Sequence, residues 1–360
     1  MRKSEMKQEH IERINFAVTK ALDHKDWEPE SLLSGGLTGV PVYKIKVRDK
    51  SYAIKLENIN DKNFDLVRNY EIVEAVSKQG ISPRVFYTNP EQGIILMECI
   101  NSSFQPAIAS PYLEKLAAVA RKLHKMELFK EWKSLREILD HSINKLPPQY
   151  LKNSYIHACL QEIKKLEEII FFQTDIRSSH GDFHIANTLF DGDRYLLVDW
   201  QAAAPRSFYF DLSCYATFMF SSNAKCNEFL QAYLEREPKE EEIAKYNLMR
   251  IFTNIYYGIG FIAISLEGGK DLPLMSDENI SKLPHHCIVL QAVAAALNDS
   301  MNKQKFGFAC LKSSLEAIAD EKYRKAFEQV SVLKQSGSKH EAPFSELTEE
   351  KEKPPSCRKF

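Results

Sequence analysis

Two short runs near the start of the chain alternate apolar and polar positions, Tyr43-Lys44-Ile45-Lys46-Val47 and Tyr52-Ala53-Ile54-Lys55-Leu56, separated by Arg48-Asp49-Lys50. Period-two alternation around a polar turn predicts a pair of antiparallel strands, with Ala53 and Lys55 on one face and Ile54 and Leu56 on the other. Ser34-Gly35-Gly36-Leu37-Thr38-Gly39 precedes the first run and places a glycine-rich loop at the head of the hairpin. A helical arm is expected over residues 8–22, and the spacing of residues 69–76 predicts a helix stopped by Gly80 and Pro83. Ile94 to Ile100 reads as a buried strand running into a linker. Ser110-Pro111 predicts a helix start, with Ser as cap and Pro in the first turn, followed by apolar Leu113, Leu116, Ala117, Ala120 and Leu123 at helical spacing. Thr188-Leu189-Phe190 and Tyr195-Leu196-Leu197-Val198 flank the turn Asp191-Gly192-Asp193 and predict a second hairpin. Three regions follow: a strand-rich lobe over 1–97, a helix-dominated lobe over 98–333, and a tail over 334–360 whose Ser, Glu, Lys and Pro content cannot pack and predicts disorder.

Composition narrows the possible functions. The 360 residues carry 48 Lys and Arg against 49 Asp and Glu, so there is no electrostatic footprint for nucleic acid. The first ten residues are polar and do not read as a signal peptide, and the apolar stretch from Ile255 to Leu266 is too short to span a membrane. Seven cysteines without a C-x-x-C pair predict reduced thiols and a cytoplasmic protein, not a disulfide frame or a zinc site. The terminal Cys357-Arg358-Lys359-Phe360 lacks the aliphatic middle of a prenylation box.

The chemistry concentrates in His180-Gly181-Asp182-Phe183-His184-Ile185-Ala186-Asn187 and in Val198-Asp199-Trp200. An ionised carboxylate such as Asp182 accepts hydrogen bonds only, so it can orient and deprotonate a hydroxyl. Mg²⁺ prefers oxygen ligands, and Asn187 and Asp199 supply them. The predicted hairpin would bring those two residues together from its outer ends. Upstream, the glycines of the loop allow backbone N–H groups to approach phosphate oxygens, and Lys55 is placed to reach phosphate. The order of these elements is that of a phosphoryl-transfer enzyme.

These motifs resemble the aminoglycoside phosphotransferase and choline kinase superfamily. Its H-G-D-x-x-x-x-N, followed by a strand ending in D-[WF], is matched at His180, Gly181, Asp182, Asn187, Asp199 and Trp200. The resemblance implies an α+β, two-lobed protein-kinase-like fold with a small antiparallel-sheet lobe and a larger helical lobe. It also implies ATP and Mg²⁺ as cofactors. In this reading Asp182 is the catalytic base, and Asn187 and Asp199 hold the metal. Ser34, Gly35, Gly36 and Thr38 cap the phosphates, Ala53 leaves room for adenine, and Lys55 steadies the α- and β-phosphates. Glu71 pairs with Lys55, with Glu74 one turn on as the alternative, and the backbone of Glu98 and Ile100 holds the adenine edge. Asp211, in a D-L-[AS] match, is expected to bond the backbone of the catalytic loop, and His180 to brace it. His184 is expected either near the transferred group or in a structural role.

The acceptor is the open question. Asp199 and Asp211 are only twelve positions apart, with no A-P-E element between them, so a peptide platform is not expected. The aromatic stretches 208–220 and 256–261 suit the cation of a choline- or ethanolamine-like amino alcohol. The carboxylates Glu235, Glu237, Glu240, Glu241 and Glu242 suit an aminoglycoside. A nucleotide-binding pseudokinase module is the non-enzyme alternative, and a protein kinase effector is a third reading. Two departures from the family pattern stand out. Gly39 occupies a position where the choline branch has Asn, and Gln201 replaces the acid that many members carry after D-[WF].

Overall fold

The computed structural model describes residues 1–33, 40–61, 64–102, 106–268 and 272–337. The small lobe is a sheet of β1 (Glu28–Leu33), β2 (Val42–Val47), β3 (Lys50–Leu56), β4 (Val85–Asn89) and β5 (Ile94–Glu98), in spatial order β1-β2-β3-β5-β4. Each neighbouring pair is antiparallel. The two alternating runs are β2 and β3, paired from Val42 opposite Lys55 to Val47 opposite Lys50. β1 and β4 are not announced by the sequence pattern. Both are edge strands interrupted by a register shift, between Pro29 and Ser31 in β1 and between Val85 and Tyr87 in β4. Neither places a fully buried residue in the core, so neither writes a strong alternation.

The two faces of the sheet are covered differently. Helix α1 (Gln8–Leu22) lays Ile14, Ala17 and Val18 against Ile45, Ile54, Leu56 and Leu96. On the other side α2 (Leu66–Lys78) buries Tyr70, Val73 and Val76 with Ile81 and Ile95, continuous with the core of the large lobe. α2 starts three residues before the predicted span because Asp65 caps it, accepting from the Arg68 N–H at 3.0 Å.

The large lobe contains α3 (Tyr112–His124), α4 (Leu135–Asn144), α5 (Pro148–Leu151), α6 (Ser154–Ile170), α7 (Phe208–Met219), α8 (Asn223–Leu234), α9 (Glu240–Ser265), α10 (Asp277–Ser281), α11 (His286–Val293), α12 (Ser300–Ile318) and α13 (Glu321–Gly337). At α3 the expectation is corrected by one residue. Pro111 holds the cap position without a side-chain bond, and the Ser110 hydroxyl goes to Glu114. The expected start of the tail at 334 falls inside α13, and the remainder lies outside the described residues. Two small two-stranded sheets are set among the helices: β6 (Ile176–Ser179) pairs with β9 (Ala204–Ser207), and β7 (Thr188–Phe190) forms a hairpin with β8 (Tyr195–Leu197).

α9 is the central helix of this lobe. By length and composition it could cross a membrane, but 72% of its most apolar window is buried inside the fold, as befits a core helix. It meets α12 at a pair of glycines. A Cβ on Gly307 would lie 2.7 Å from the Gly258 carbonyl oxygen, so the crossing requires both residues to lack a side chain. This close approach fixes the helix that carries Tyr256 and Tyr257. All six described cysteines are unpaired.

Candidate active site

The loop after β6 carries the catalytic motif, and a buried carboxylate holds its shape. Asp211, fully buried on α7, accepts from the His180 N–H at 2.8 Å, the Gly181 N–H at 2.9 Å and the His124 Nε2 at 3.0 Å. Burial pushes its pKa up, but the His124 hydrogen bond and charge outweigh that and hold it below the usual carboxylate range. His180 is the expected brace: Nε2 donates to the Val198 carbonyl at 3.0 Å, and Nδ1 accepts from the Asp182 N–H at 3.3 Å. Burial lowers its pKa, consistent with a neutral ring. Gly181 has φ +78°, and a Cβ there would sit 2.2 Å from the Ala202 carbonyl oxygen. Only glycine satisfies both the left-handed conformation and the close approach.

The brace presents Asp182 to the cleft. Its Oδ1 accepts from the Tyr257 hydroxyl at 2.7 Å. Its Oδ2 accepts from Asn187 Nδ2 at 3.0 Å and lies 3.2 Å from His184 Nε2. Burial raises the Asp182 pKa, but the charge and hydrogen bond of His184 and the bond from Tyr257 outweigh it, so the group stays ionised. His184 is affected in the opposite direction. Burial lowers its pKa, while the charge and hydrogen bond of Asp182 raise it further than burial depresses it. Its Nδ1 accepts from the Ala186 N–H at 3.2 Å, which aims the Nε2–H at Asp182.

The hairpin of β7 and β8 does what its pattern predicts. The Val198 N–H donates to the Asn187 carbonyl at 3.0 Å, so Asn187 and Asp199 emerge side by side. Asp199 has φ +67°, an uncommon conformation for a residue with a side chain and one that clusters at functional sites. It turns Oδ1 to Lys55 Nζ at 3.1 Å, across the cleft from the small lobe. Lys55, Asp182, Asn187 and Asp199 therefore converge from four separate elements.

The donor set fits a hard divalent cation. Asn187 spends its amide nitrogen on Asp182, at the backbone carbonyl and at Oδ2, both at 3.0 Å, which turns its carbonyl oxygen elsewhere. Ligand oxygens then come from an amide and a carboxylate, with no thiol among them. Asp182 and Asp199 both act electrostatically on His184, so the cluster is rich in negative charge.

The other expected residues are placed as follows. Ala53 is buried on β3 opposite Met97. The Glu98 N–H already donates to the Arg84 carbonyl at 2.7 Å, and Ile100 lies just beyond β5. Ser34, Gly35, Gly36 and Thr38 lie outside the described residues. The pairing expected of Glu71 is corrected. It bonds Lys130 at 2.5 Å, half exposed on an outer groove that also carries Lys122 and Lys125. Glu74 instead accepts from the Thr88 hydroxyl. The reason is helix phase: Arg68, Asn69, Tyr70, Ile72, Val73 and Val76 are the buried positions of α2, which turns Glu71 outward. Lys55 takes its second carboxylate from Glu57, at 2.8 Å. Sequence reasoning missed Glu57, although it lies two residues from Lys55 and period two puts both on one face. It also missed the direct bond from Tyr257 to Asp182.

Residues 33–246 match the phosphotransferase enzyme family. The chain belongs to that family. No curated protein matches the sequence. Among solved structures, a choline/ethanolamine kinase family protein from Mesorhizobium loti aligns at 15% identity with a TM-score of 0.63, covering 89% of this chain and 97% of that one. Choline kinase LicA from Streptococcus pneumoniae aligns at 16% identity and TM-score 0.58, covering 90% of this chain and 99% of its own. A spectinomycin phosphotransferase aligns at 17% identity and TM-score 0.52, covering 83% and 98%. At these identities the likeness establishes the two-lobed kinase-like fold.

Proposed function

We propose that this family member transfers the γ-phosphoryl group of ATP to a hydroxyl of a small molecule, with an amino alcohol resembling choline or ethanolamine as the favoured acceptor. The observation that carries the reading is the convergence of Lys55, Asp182, Asn187 and Asp199 on one cleft. Asp182 accepts the acceptor's proton and orients its oxygen. Lys55 contacts the nucleotide phosphates, with the glycine-rich loop and the backbone of Glu98 and Ile100 completing the nucleotide site. Asn187 and Asp199 hold Mg²⁺, which when bound supplies charge neutralisation for the phosphates. Catalysis is then mostly positioning and electrostatics.

The lean toward an amino alcohol rests on what surrounds the base. Phe218 stands 4.9 Å from the His184 ring and 4.9 Å from the Tyr257 ring, so Asp182 is bordered by aromatic groups that attract a cation. Three of the five carboxylates suited to an aminoglycoside are engaged elsewhere. Glu235 pairs with Arg121 at 2.9 Å, Glu237 accepts from Gln231, and Glu242 pairs with Arg236. Solved relatives include both choline kinases and a spectinomycin phosphotransferase, so both acceptors belong in the test.

ADP release is to be measured across choline, ethanolamine and aminoglycosides, with Asp182→Asn as blank. Loss of a positioned general base costs roughly 10²–10⁴ in rate while MgATP binding persists. An Asp182→Asn protein that turns over at the wild-type rate refutes the base. A protein that binds MgATP yet forms ADP with no acceptor is a binding module.

A further inference from the structure

Lys55 and Asp199 account for one ion pair across the cleft, yet a second carboxylate is drawn into the same cluster. Glu57 follows β3, two residues from Lys55, and its side chain is almost completely buried. Its Oε1 lies 2.8 Å from Lys55 Nζ, and its Oε2 accepts from Gln201 Nε2 at 2.8 Å. The backbone is pinned as well. The Glu57 N–H donates to the Gly93 carbonyl at 2.7 Å, and Arg13 Nη2 donates to the Glu57 and Gly93 carbonyls, each at 2.8 Å. A carboxylate held this firmly next to a buried ammonium fixes where that ammonium points.

The surroundings explain why the carboxylate comes from the strand. The buried face of α2 presents Tyr70, which is 2% exposed and close enough to Glu57 to be affected by its charge. Glu71, the next residue, is rotated out to Lys130. Gln201 completes the arrangement. It sits two residues after Asp199, and a carboxylate in its place would meet Glu57 head-on at hydrogen-bonding distance, two like charges in a buried site. The neutral amide instead donates to Glu57 and joins the strand end of the small lobe to the metal strand of the large lobe.

We propose that Glu57 is the positioning residue of Lys55, and that Gln201 orients Glu57. In this chain the carboxylate beside Lys55 comes from the end of β3 and not from helix α2. The inference rests on the nucleotide-binding part of the proposed function and does not depend on the identity of the acceptor.

Calorimetric affinities of the full chain for MgATP and for adenosine, which has no phosphates for Lys55 to contact, make the test. Glu57→Gln is expected to weaken MgATP at least tenfold and to leave adenosine within twofold. Glu71→Gln leaves both within twofold. Gln201→Ala, which removes only the partner of Glu57 and preserves the buried charge pair, weakens MgATP several-fold and keeps the protein measurable should Glu57→Gln fail to fold. Glu57→Asp, with its charge retained, recovers part of the loss. Equal losses for adenosine and MgATP overturn the proposal, because general damage to the lobe then explains them. So does a Glu71→Gln effect as large as that of Glu57→Gln, or full MgATP affinity in both Glu57→Gln and Gln201→Ala. A wild-type protein that binds adenosine and MgATP equally overturns the phosphate-site reading itself, and the role of Glu57 with it.

Discussion

Replacing Asp211 with Asn tests how the catalytic loop is held. The carboxylate divides its oxygens between two backbone donors: Oδ1 serves the Gly181 N–H at 2.9 Å, and Oδ2 serves the His180 N–H at 2.8 Å together with His124. Asparagine has nearly the same shape but turns one of those acceptors into a donor. Whichever way the amide flips, at least one buried N–H faces an NH₂ group and loses its partner. An unsatisfied buried donor costs about 1–3 kcal/mol, and hydrogen bonds to a charged group are worth about 1.5–3 kcal/mol each. A destabilisation of about 3 kcal/mol is expected. At ~2.1 cal/mol/K of unfolding entropy per residue, a chain of 360 residues shifts by about 1.3 °C per kcal/mol, so Tm should fall by roughly 4 °C. The Asp211 pKa is depressed in the folded state, so its contribution is present above the unfolded value of about 4 and lost as pH falls through the folded value. The gap between wild type and Asp211→Asn in thermal unfolding should therefore be constant near neutrality and narrow only in acid below about pH 4. A Tm within about 2 °C of wild type at pH 7 would show that the carboxylate is not what braces the loop.

Gly181→Ala should be more severe locally, since the added Cβ meets a backbone oxygen that cannot move away. Loss of at least about 2 kcal/mol in urea unfolding is expected, and a near-neutral substitution would show that the loop is not held in this conformation. His184→Ala removes an influence that keeps Asp182 acidic, so the base's pKa rises and the acid limb of the kcat/KM profile moves to higher pH. A limb that stays put or moves down contradicts the His184–Asp182 coupling. Phe218→Ala removes an aromatic face beside the base, and an amino-alcohol acceptor should lose roughly 0.5–2 kcal/mol, read as a KM raised about 2- to 30-fold. An unchanged KM for choline and ethanolamine removes the support for that acceptor.

The sequence made some parts of this molecule legible because local rules dictate them. Residues 43–56 alternate because one face of β2 and β3 is buried under α1, and the residues from Thr188 to Leu197 form a hairpin because two apolar runs flank a polar Asp-Gly-Asp turn. Asn187 and Asp199 stand side by side because a hairpin brings its ends together. What escaped depends on tertiary context. β1 and β4 bury too little to write a pattern. The carboxylate partner of Lys55 was sought on α2, whose phase is set by which residues face the large-lobe core, and that choice does not show over residues 69–76 alone. Gln201 read as a defect when taken alone, whereas beside Glu57 it is the matching donor.

The lobes divide the site unequally. Among the described residues, Asp182 is held by the large lobe, through Tyr257 on α9, Asn187 before β7 and His184 in its own loop, and Asp211 on α7 sets that loop's backbone. Among the described residues the small lobe meets the segment around Asp199 through Lys55 to Asp199, Glu57 to Gln201, Arg68 to the Ala203 carbonyl and the Ile81 carbonyl to the Leu197 N–H. The small lobe therefore bears on the Asp199 side of the cleft. Glu57 and Asp199 together outweigh the single charge of Lys55, so the closed cleft is left short of positive charge on that same side. A nucleotide arriving with a divalent cation makes up the deficit, and one arriving alone adds to it. In the proposed function, cation dependence is then a consequence of this charge balance, set by Glu57 as much as by Asp199.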